Sequence, residues 1–180
     1  LERSVNRYVY ISSISAYASM SRIGVNESDP VATMEDETVE EITEVTYGPL
    51  KVLCEKVMQE IYGERALIIR PGLIVGPNDP TDRFTYWPVR VKRGGDVLAP
   101  DRPAVLTQII DVRDLTAWML RLVDDRATGY YNAVTRPREY TIGDLVRASL
   151  EASPGSGTKV TWVPESFLLN RLKSEEVDMP

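Results

Sequence analysis

Two apolar runs flank an amphipathic segment in the first half of the chain. Residues 7–12 and 65–70 are rich in β-branched, aliphatic and aromatic side chains, which predicts two buried strands. Between them, from Tyr47 to Tyr62, apolar residues recur at spacings of three and four, a pattern that predicts a helix ending at Gly63. A strand, a helix and a second buried strand are typical of a βαβ crossover onto a parallel sheet.

The apolar positions of the predicted helix form one stripe along its length. They are Leu50, Leu53, Cys54, Val57, Met58, Ile61 and Tyr62. Because such a stripe normally faces the interior, we expect Cys54 to lie in the core. Pro49 can be accommodated only in the first turn of a helix, so the regular helix is predicted to begin near this residue.

Further strands and helices are predicted in the second half of the chain. The predicted strands are residues 105–110, 129–134 and 159–163, and the predicted helices are residues 112–123 and 142–152. Asp111 and Thr141 are suitable amino-terminal caps for these two helices. By contrast, residues 13–44 form a long polar stretch, and we expect its acidic run at 35–41 to be a solvated surface or a helix start.

Composition and charge narrow the functional classes. Apolar residues make up 43% of the chain and charged residues 27%, as in globular proteins. No apolar run approaches the ~20 residues of a membrane span, so we expect no membrane association. Because the chain has a net charge of −6 and nucleic acid is also negatively charged, we expect no nucleic-acid partner. The short basic cluster of Arg90, Lys92 and Arg93 is interpreted as the carboxyl end of a helix.

Histidine is absent from the sequence, and cysteine occurs once, as Cys54. Without histidine the chain cannot form a Ser-His-Asp triad or a Cys-His pair, and most zinc sites are excluded, so we expect no metal site. A single cysteine allows no internal disulfide and fits a reducing compartment, and we expect a cytoplasmic location. Acid–base chemistry must therefore depend on tyrosine, lysine or carboxylates.

Tyr47 and Lys51 place a phenol and an ammonium group one turn apart on the same face of the predicted helix. The spacing alone is common, but here the first strand ends at Ser12 and Ser13, and the second ends in Arg-Pro-Gly at residues 70–72. This order resembles the extended short-chain dehydrogenase/reductase family, also described as NAD-dependent epimerase/dehydratase. Three segments carry the resemblance: Tyr-Val-Tyr-Ile-Ser-Ser-Ile-Ser-Ala-Tyr, Tyr-Gly-Pro-Leu-Lys and Arg-Pro-Gly-Leu-Ile-Val-Gly-Pro.

The resemblance implies an α/β fold with a doubly wound, Rossmann-like parallel sheet and a small carboxyl-terminal substrate lobe. Residues 1–76 would be the carboxyl-terminal half of the dinucleotide-binding domain. Residues 77–180 would be mainly the substrate lobe, with some elements returning to the first domain. The family's Gly-rich phosphate-binding turn has no counterpart here, and residues 1–4 resemble the last turn of a helix. We therefore expect this chain to lack ~100 residues of an amino-terminal half.

The resemblance assigns the family's catalytic roles to Ser13, Tyr47 and Lys51. Ser13 is preferred over the neighbouring serines because it lies four residues before Tyr17, as in the family. A free phenol, with a pKa of ~10, is a poor base, but a nearby lysine and an oxidised nicotinamide favour the phenolate. We expect Tyr47 to transfer the proton and Ser13 to donate a hydrogen bond to the developing oxyanion, with both hydroxyls facing one cleft.

The implied cofactor is NAD or NADP. Lys51 would also hold the nicotinamide ribose, and the residues expected to contact the cofactor are Tyr47, Lys51, Pro71, Gly72, Leu73 and Ile74. The expected partner is a small hydroxy or keto substrate. The candidate pocket residues are Tyr17, Arg83, Tyr86 and Trp87; with Phe84, the aromatic residues among them could equally form a packed cluster.

Several positions depart from the family's pattern. Dehydratases of the family carry an Asp-Glu pair where this chain has Ile14 and Ser15, so dehydratase chemistry is not expected. Sugar-nucleotide epimerases usually carry Asn at the position of Leu73 and Arg at that of Thr107, so a sugar nucleotide is one candidate substrate among others. The expected activity is that of an oxidoreductase or epimerase. The alternative is a non-catalytic nucleotide- or RNA-binding protein on the same scaffold.

The resemblance also implies a homodimer. Members of the family commonly pair through the helix that bears the Tyr-x-x-x-Lys motif. In this chain Leu53, Val57 and Ile61 could form that interface, although packing within one chain would produce the same apolar pattern.

Overall fold

The structure is a computed structural model that describes residues 4–172. Leu1–Arg3, which belong to the predicted helical turn, lie outside the described residues. The strands are β1 (Tyr8–Ile11), β2 (Ala66–Pro71), β3 (Leu73–Val75), β4 (Asp96–Pro100), β5 (Leu106–Thr107), β6 (Ile109–Asp111), β7 (Gly129–Ala133), β8 (Tyr140–Thr141) and β9 (Lys159–Val163). The helices are α1 (Tyr47–Tyr62), α2 (Tyr86–Lys92), α3 (Val112–Asp124), α4 (Ile142–Glu151) and α5 (Glu165–Leu172).

The chain forms two compact units. Unit 1 comprises the described residues up to Ile74 together with Ile109–Pro137, and unit 2 comprises Val75–Gln108 and the described residues from Arg138 onward. Among the described residues, no helix combines the length and the apolarity needed to cross a membrane.

The centre of unit 1 is a parallel sheet in the order β1-β2-β7. Tyr8 is paired with Ala66 and Ile11 with Ile69, and β2 continues the register onto β7 on its other side. Every residue of β2 is buried, including Arg70, and the apolar run of residues 66–69 is typical of the central strand of a covered sheet. The predicted βαβ crossover is confirmed, because α1 connects two parallel neighbours.

One face of this sheet packs against α3 through an apolar core. Its buried members are Leu67, Ile69, Leu115 and Ala133, and further apolar side chains from β1, α3 and β7 pack around them. Asp111 begins α3 by accepting a hydrogen bond from the Arg113 backbone N–H at 2.8 Å, which confirms the predicted cap.

The opposite face of the sheet is covered by α1. The prediction that Cys54 of this helix lies in the core is wrong. The helix has the predicted bounds and ends at Gly63, which adopts a φ of 50°. However, Cys54 is exposed, and Val57 and Ile61 are 45% and 40% exposed. The helix instead buries Gly48, Val52, Glu55 and Tyr62. Part of the apolar stripe, at Cys54, Val57 and Ile61, is therefore exposed, while Glu55 faces β2 and forms a buried ion pair there.

Unit 2 is built from short strands and helices. β4 and β9 pair in parallel, β5 and β8 pair antiparallel, and α4 packs against α2. Thr141 caps α4, and its hydroxyl accepts from the Asp144 N–H while the Asp144 carboxylate accepts from the Thr141 N–H. This capping box confirms the predicted start of α4. The last turn of α2 contains Arg90 and Lys92, as the interpretation of the basic cluster as a helix end required.

The predicted strand at 105–110 is wrong as a single element. Gln108 separates β5, which pairs with β8, from β6, which pairs with β3. The local sequence could not show this division, because it depends on the different partners of the two halves. Short elements such as β3, β4, β8 and α5 were also missed by the sequence analysis. Their formation depends on tertiary partners more than on local sequence.

Candidate functional site

Tyr47 and Lys51 occupy the first turns of α1, beside the carboxyl end of β1. The Lys51 Nζ atom lies 5.8 Å from the centroid of the Tyr47 ring. It also donates a hydrogen bond to the backbone carbonyl of Ile11 at 3.0 Å. Because ligands of open α/β sheets bind beyond the carboxyl ends of the strands, both side chains are placed where they could contact a bound cofactor.

Ser13 follows β1 and begins a short 3-10 helix at Ile14–Ala16. Its Oγ accepts a hydrogen bond from the Ser15 backbone N–H at 3.1 Å, an interaction that leaves the hydroxyl hydrogen able to donate. Ser12, directly before it, is only 3% exposed. Of these two serines, Ser13 is therefore the one that a ligand can reach.

Gly48 brings the start of α1 against the 3-10 helix. A Cβ atom at this position would lie 2.2 Å from the Ser15 carbonyl oxygen, much closer than any side chain permits. The glycine between Tyr47 and Pro49 thus allows the helix that carries Tyr47 to pack directly on the turn that carries Ser13.

An open cleft of about 780 Å³ lies beside Tyr47. Its walls are formed by Tyr47, Ser15 and Tyr17, together with the segment 42–45 and parts of residues 18–33. We call this the Tyr47 cleft. Ser13 and Lys51 are not among its described lining residues, so the expectation that the Ser13 and Tyr47 hydroxyls face one cleft stays a prediction.

A buried ion pair lies between α1 and the sheet. The Glu55 carboxylate accepts two hydrogen bonds from Arg70, from Nε at 2.9 Å and from Nη2 at 2.6 Å, and both side chains are 3% exposed. The guanidinium lies 4.7 Å from the Tyr17 ring centroid and 4.9 Å from that of Tyr130. Burial by itself lowers the pKa of Arg70, but the hydrogen bonds and charge of Glu55 outweigh it and raise that pKa above its ordinary value.

Other polar groups extend this buried layer. Tyr17 is 5% exposed, and its hydroxyl donates to the Asn132 side-chain oxygen at 2.8 Å. The Lys51 Nζ atom lies 5.2 Å from the centroid of the Tyr10 ring. Burial raises the pKa of the Tyr10 hydroxyl, and the neighbouring thiol of Cys54 adds to the effect. A largely polar layer thus supports the helix that bears Tyr47 and Lys51.

Sequence reasoning missed the Glu55–Arg70 pair. A signal was present, since Glu55 lies one turn after Lys51 on the predicted helix and Arg70 ends an otherwise apolar strand. A buried arginine usually requires a carboxylate partner, and the nearby helix offered one.

The stretch expected to meet the cofactor follows the end of β2. Pro71 is buried, and the Gly72 backbone N–H donates to the Ala133 carbonyl at 3.2 Å. A Cβ atom at Gly72 would lie 2.6 Å from the Val134 Cγ1 atom, so glycine allows the chain to turn close to β7. Leu73 and Ile74 continue into β3, and Ile74 packs against the apolar core.

The remaining candidate substrate residues lie in unit 2. The Tyr86 and Trp87 rings form an edge-to-face pair with centroids 5.3 Å apart, which fits a packed aromatic cluster. Arg83 is exposed, and its Nε donates to the Thr81 hydroxyl at 3.0 Å. These residues belong to a different unit from Tyr17, Tyr47 and Lys51.

Comparison with known proteins identifies the fold. No protein-family model matches the sequence, and a search of curated proteins gives no significant match. Among solved structures, the chain is similar to UDP-N-acetylglucosamine 4-epimerase from Methanobrevibacter ruminantium, with a TM-score of 0.67 and 15% identity over 90% of this chain and 51% of that one. It is also similar to a dTDP-4-dehydrorhamnose reductase from Clostridium acetobutylicum, with a TM-score of 0.65 and 15% identity over 89% and 51% of the two chains.

A third similar structure is UDP-glucose 4-epimerase from Thermus thermophilus in complex with NAD, with a TM-score of 0.61 and 18% identity over 89% of this chain and 52% of that one. The chain thus spans about half the length of the structures that it matches. The predicted α/β fold with a parallel sheet is confirmed: the chain has the fold of about half of these reductase and epimerase structures.

Proposed function

We propose that this chain belongs to an NAD(P)-dependent oxidoreductase or epimerase of hydroxy or keto substrates, in which Tyr47, Lys51 and Ser13 carry the chemistry. The observation that supports it most directly is the position of Lys51. Its ammonium group is held by the Ile11 carbonyl at the end of β1 and lies 5.8 Å from the Tyr47 ring centroid.

Tyr47 is the proton-transfer group in this proposal. Its side chain is 38% exposed and forms part of a cleft wall, so a substrate hydroxyl can reach the phenol. In the oxidation direction the phenolate accepts the hydroxyl proton, and in the reduction direction the phenol returns it. The Lys51 ammonium group, 5.8 Å from the Tyr47 ring centroid, would stabilise negative charge that develops on the phenol oxygen during proton transfer.

Ser13 stabilises the reacting oxygen. Its Oγ is oriented by the Ser15 N–H, and its own hydrogen can be donated to a substrate oxygen as negative charge develops there. The close packing of Gly48 on Ser15 keeps the two hydroxyl-bearing elements together. A preformed arrangement of this kind lowers the cost of organising the site during the reaction.

The residues around β1 and β2 fit the nicotinamide half of a dinucleotide. When bound, this cofactor accepts or supplies the hydride. Lys51 and Tyr47 would hold its ribose, and the chain from Pro71 to Ile74 lies at the carboxyl end of β2, where such ligands bind. The NAD complex of the similar epimerase from Thermus thermophilus supports this assignment of a cofactor.

The experiment that tests the proposal replaces Lys51 by alanine in the whole protein. Lys51→Ala removes both the charge beside Tyr47 and the ribose contact, so we expect turnover to fall by ~10²-fold and the cofactor Kd to rise. Lys56→Ala is the matched control, because Lys56 lies on the same helix and forms an exposed ion pair with Glu37. Turnover is measured as NAD(P)-coupled absorbance with hydroxy and keto compounds. Equal effects of the two substitutions would contradict the proposal.

A further inference from the structure

We infer that the Tyr47 cleft takes an uncharged, partly apolar hydroxy or keto compound and disfavours anionic substrates such as nucleoside diphosphate sugars. This inference rests on the proposed function, since it takes Tyr47 as the group that meets the substrate.

The walls of the cleft carry apolar side chains, hydroxyls and one carboxylate. Ile42 and Val45 are 74% and 82% exposed, and they lie on the same wall as the Glu44 carboxylate. Hydroxyl groups come from Ser15, Thr33 and Thr43. None of the described lining residues is lysine or arginine.

All charged residues in the segment that builds this wall are acidic. Residues 23–50 contain no lysine or arginine. Their carboxylates are Glu27, Asp29, Glu35, Asp36, Glu37, Glu40, Glu41 and Glu44. Two of these, Asp29 and Glu37, are paired with cations from outside the segment, Arg22 and Lys56. The potential at the cleft wall is therefore expected to be negative.

Lys51 and Arg70, the two cations described above beside α1, both have partners outside the cleft. Lys51 donates to the Ile11 carbonyl, and Arg70 is buried against Glu55. Neither residue is among the described residues that line the cleft. A phosphate that entered the cleft would have to lose water without meeting a positively charged donor, which is unfavourable.

The amino end of α1 does not replace these cations. Its Tyr47 N–H donates to the Thr43 carbonyl and its Leu50 N–H donates to the Thr46 carbonyl, both at 2.9 Å. Pro49 has no N–H. Because these amides bond to the preceding turn, the helix start presents few of the donors that bind anions at other helix termini.

An uncharged substrate matches every one of these features. Its carbonyl or hydroxyl can bond to Tyr47 and to wall hydroxyls, and its apolar body can cover Ile42 and Val45, whose exposed surfaces then leave water. Alcohols and ketones that carry no phosphate group are therefore the substrates that suit the cleft.

The test compares substrates of different charge in the NAD(P)-coupled assay of the whole protein. The probes are uncharged cyclic ketones and secondary alcohols on one side, and UDP-glucose and dTDP-glucose on the other. We expect kcat/KM to be at least ~10-fold higher for the best uncharged compound. Raising the salt concentration should narrow this difference, because screening weakens the repulsion of the anions.

A charge-reversal variant adds a second criterion. Glu44→Lys should shift the ratio of kcat/KM values toward the sugar nucleotide by ~10-fold, because it places a cation in the cleft wall. Glu64→Lys is the matched control, since Glu64 is exposed and lies outside the cleft, and it should leave the ratio unchanged. Equal shifts in the two variants would overturn the inference.

The outcomes separate this inference from the proposed function. If a sugar nucleotide has the highest kcat/KM and Tyr47→Phe abolishes its turnover, the inference is wrong and the proposed function stands. If no probe is turned over, the proposed function fails with these substrates, and binding measured by saturation-transfer NMR decides the inference. Tighter binding of UDP-glucose than of the uncharged ketones at the Tyr47 cleft would then overturn it.

Discussion

At the scale of single residues, the Glu55–Arg70 pair determines how α1 meets the sheet. Both charges are almost fully buried and are joined by two hydrogen bonds, so neither can lose its partner without a large desolvation penalty. Glu55 lies one turn after Lys51, and the pair therefore also fixes the rotation of the helix that presents Lys51 to the Ile11 carbonyl. One helix, α1, thus carries both the candidate catalytic pair and Glu55 of the structural ion pair.

The buried ion pair predicts a large loss of stability from a substitution that barely changes the shape of the side chain. Glu55→Gln removes the charge but keeps a similar shape, and leaves the Arg70 cation buried without a counterion. We expect the free energy of unfolding to fall by about 3 kcal/mol. Glu37→Gln is the control, because Glu37 and Lys56 are 60% and 53% exposed, and such pairs contribute less than ~1 kcal/mol. Urea unfolding of both variants measures the difference, and equal midpoints would show that the buried pair does not stabilise the fold.

Individual residues also show where sequence reasoning reaches its limit. The spacing of Tyr47 and Lys51 predicted that they share a helix face, and the structure places the Lys51 Nζ atom near the Tyr47 ring. The Glu55–Arg70 contact could not be derived in the same way, because its two residues come from different elements. Cys54 was misplaced because an apolar stripe shows that a helix is amphipathic, without showing which partner covers the stripe.

At the scale of elements, helix ends could be predicted wherever a proline, a glycine or a capping side chain marks them. The bounds of α1 follow from Pro49 near its start and Gly63 at its end, and α3 and α4 begin after side chains that cap them. Two- and three-residue strands such as β3 and β8 have no comparable local signal. Their existence depends on partners that are distant in sequence, so periodicity could not identify them.

We expect the carboxylate of Asp111, which caps α3, to make the stability of the protein depend on pH in acid. Hydrogen bonds from Arg113 to the Asp111 carboxylate lower the pKa of Asp111 from 3.8 to about 2 in the folded protein. Since the folded pKa lies below the unfolded one, this stabilisation is complete above pH ~4 and is lost as the pH falls toward ~2. Asp111→Asn cannot titrate, so its unfolding midpoint should depend less on pH between these values than that of the wild type. Identical pH dependence in thermal unfolding would contradict this role of Asp111.

At the scale of the whole molecule, α1 leaves an apolar surface exposed. Val57 and Ile61 are 45% and 40% exposed, on a helix whose opposite side is buried against the sheet. A second copy of the protein could cover this surface, as the resemblance to dimeric enzymes led us to expect. The chain matches about half the length of its structural relatives, and the dimer is therefore proposed for the whole protein.

The proposed dimer can be tested by sedimentation at micromolar concentration. We expect the wild type to sediment as a dimer and Val57→Glu to shift it toward monomer, because a buried carboxylate without a partner opposes association. Leu120→Glu is the matched control, since Leu120 is an exposed apolar residue of α3, on the other side of the sheet. A wild-type protein that remains monomeric would exclude this interface.

The central claim, that Tyr47 transfers the proton, is tested most directly by Tyr47→Phe in the whole protein. The substitution removes the hydroxyl and keeps the ring, so the packing of α1 should be preserved. The measurement is NAD(P)-coupled turnover, with cofactor affinity determined in parallel, and Tyr140→Phe, which alters a similarly exposed tyrosine in unit 2, is the control. We predict that turnover falls by ~10²-fold or more in Tyr47→Phe alone, while cofactor binding is largely retained. Unchanged turnover in Tyr47→Phe would contradict the account.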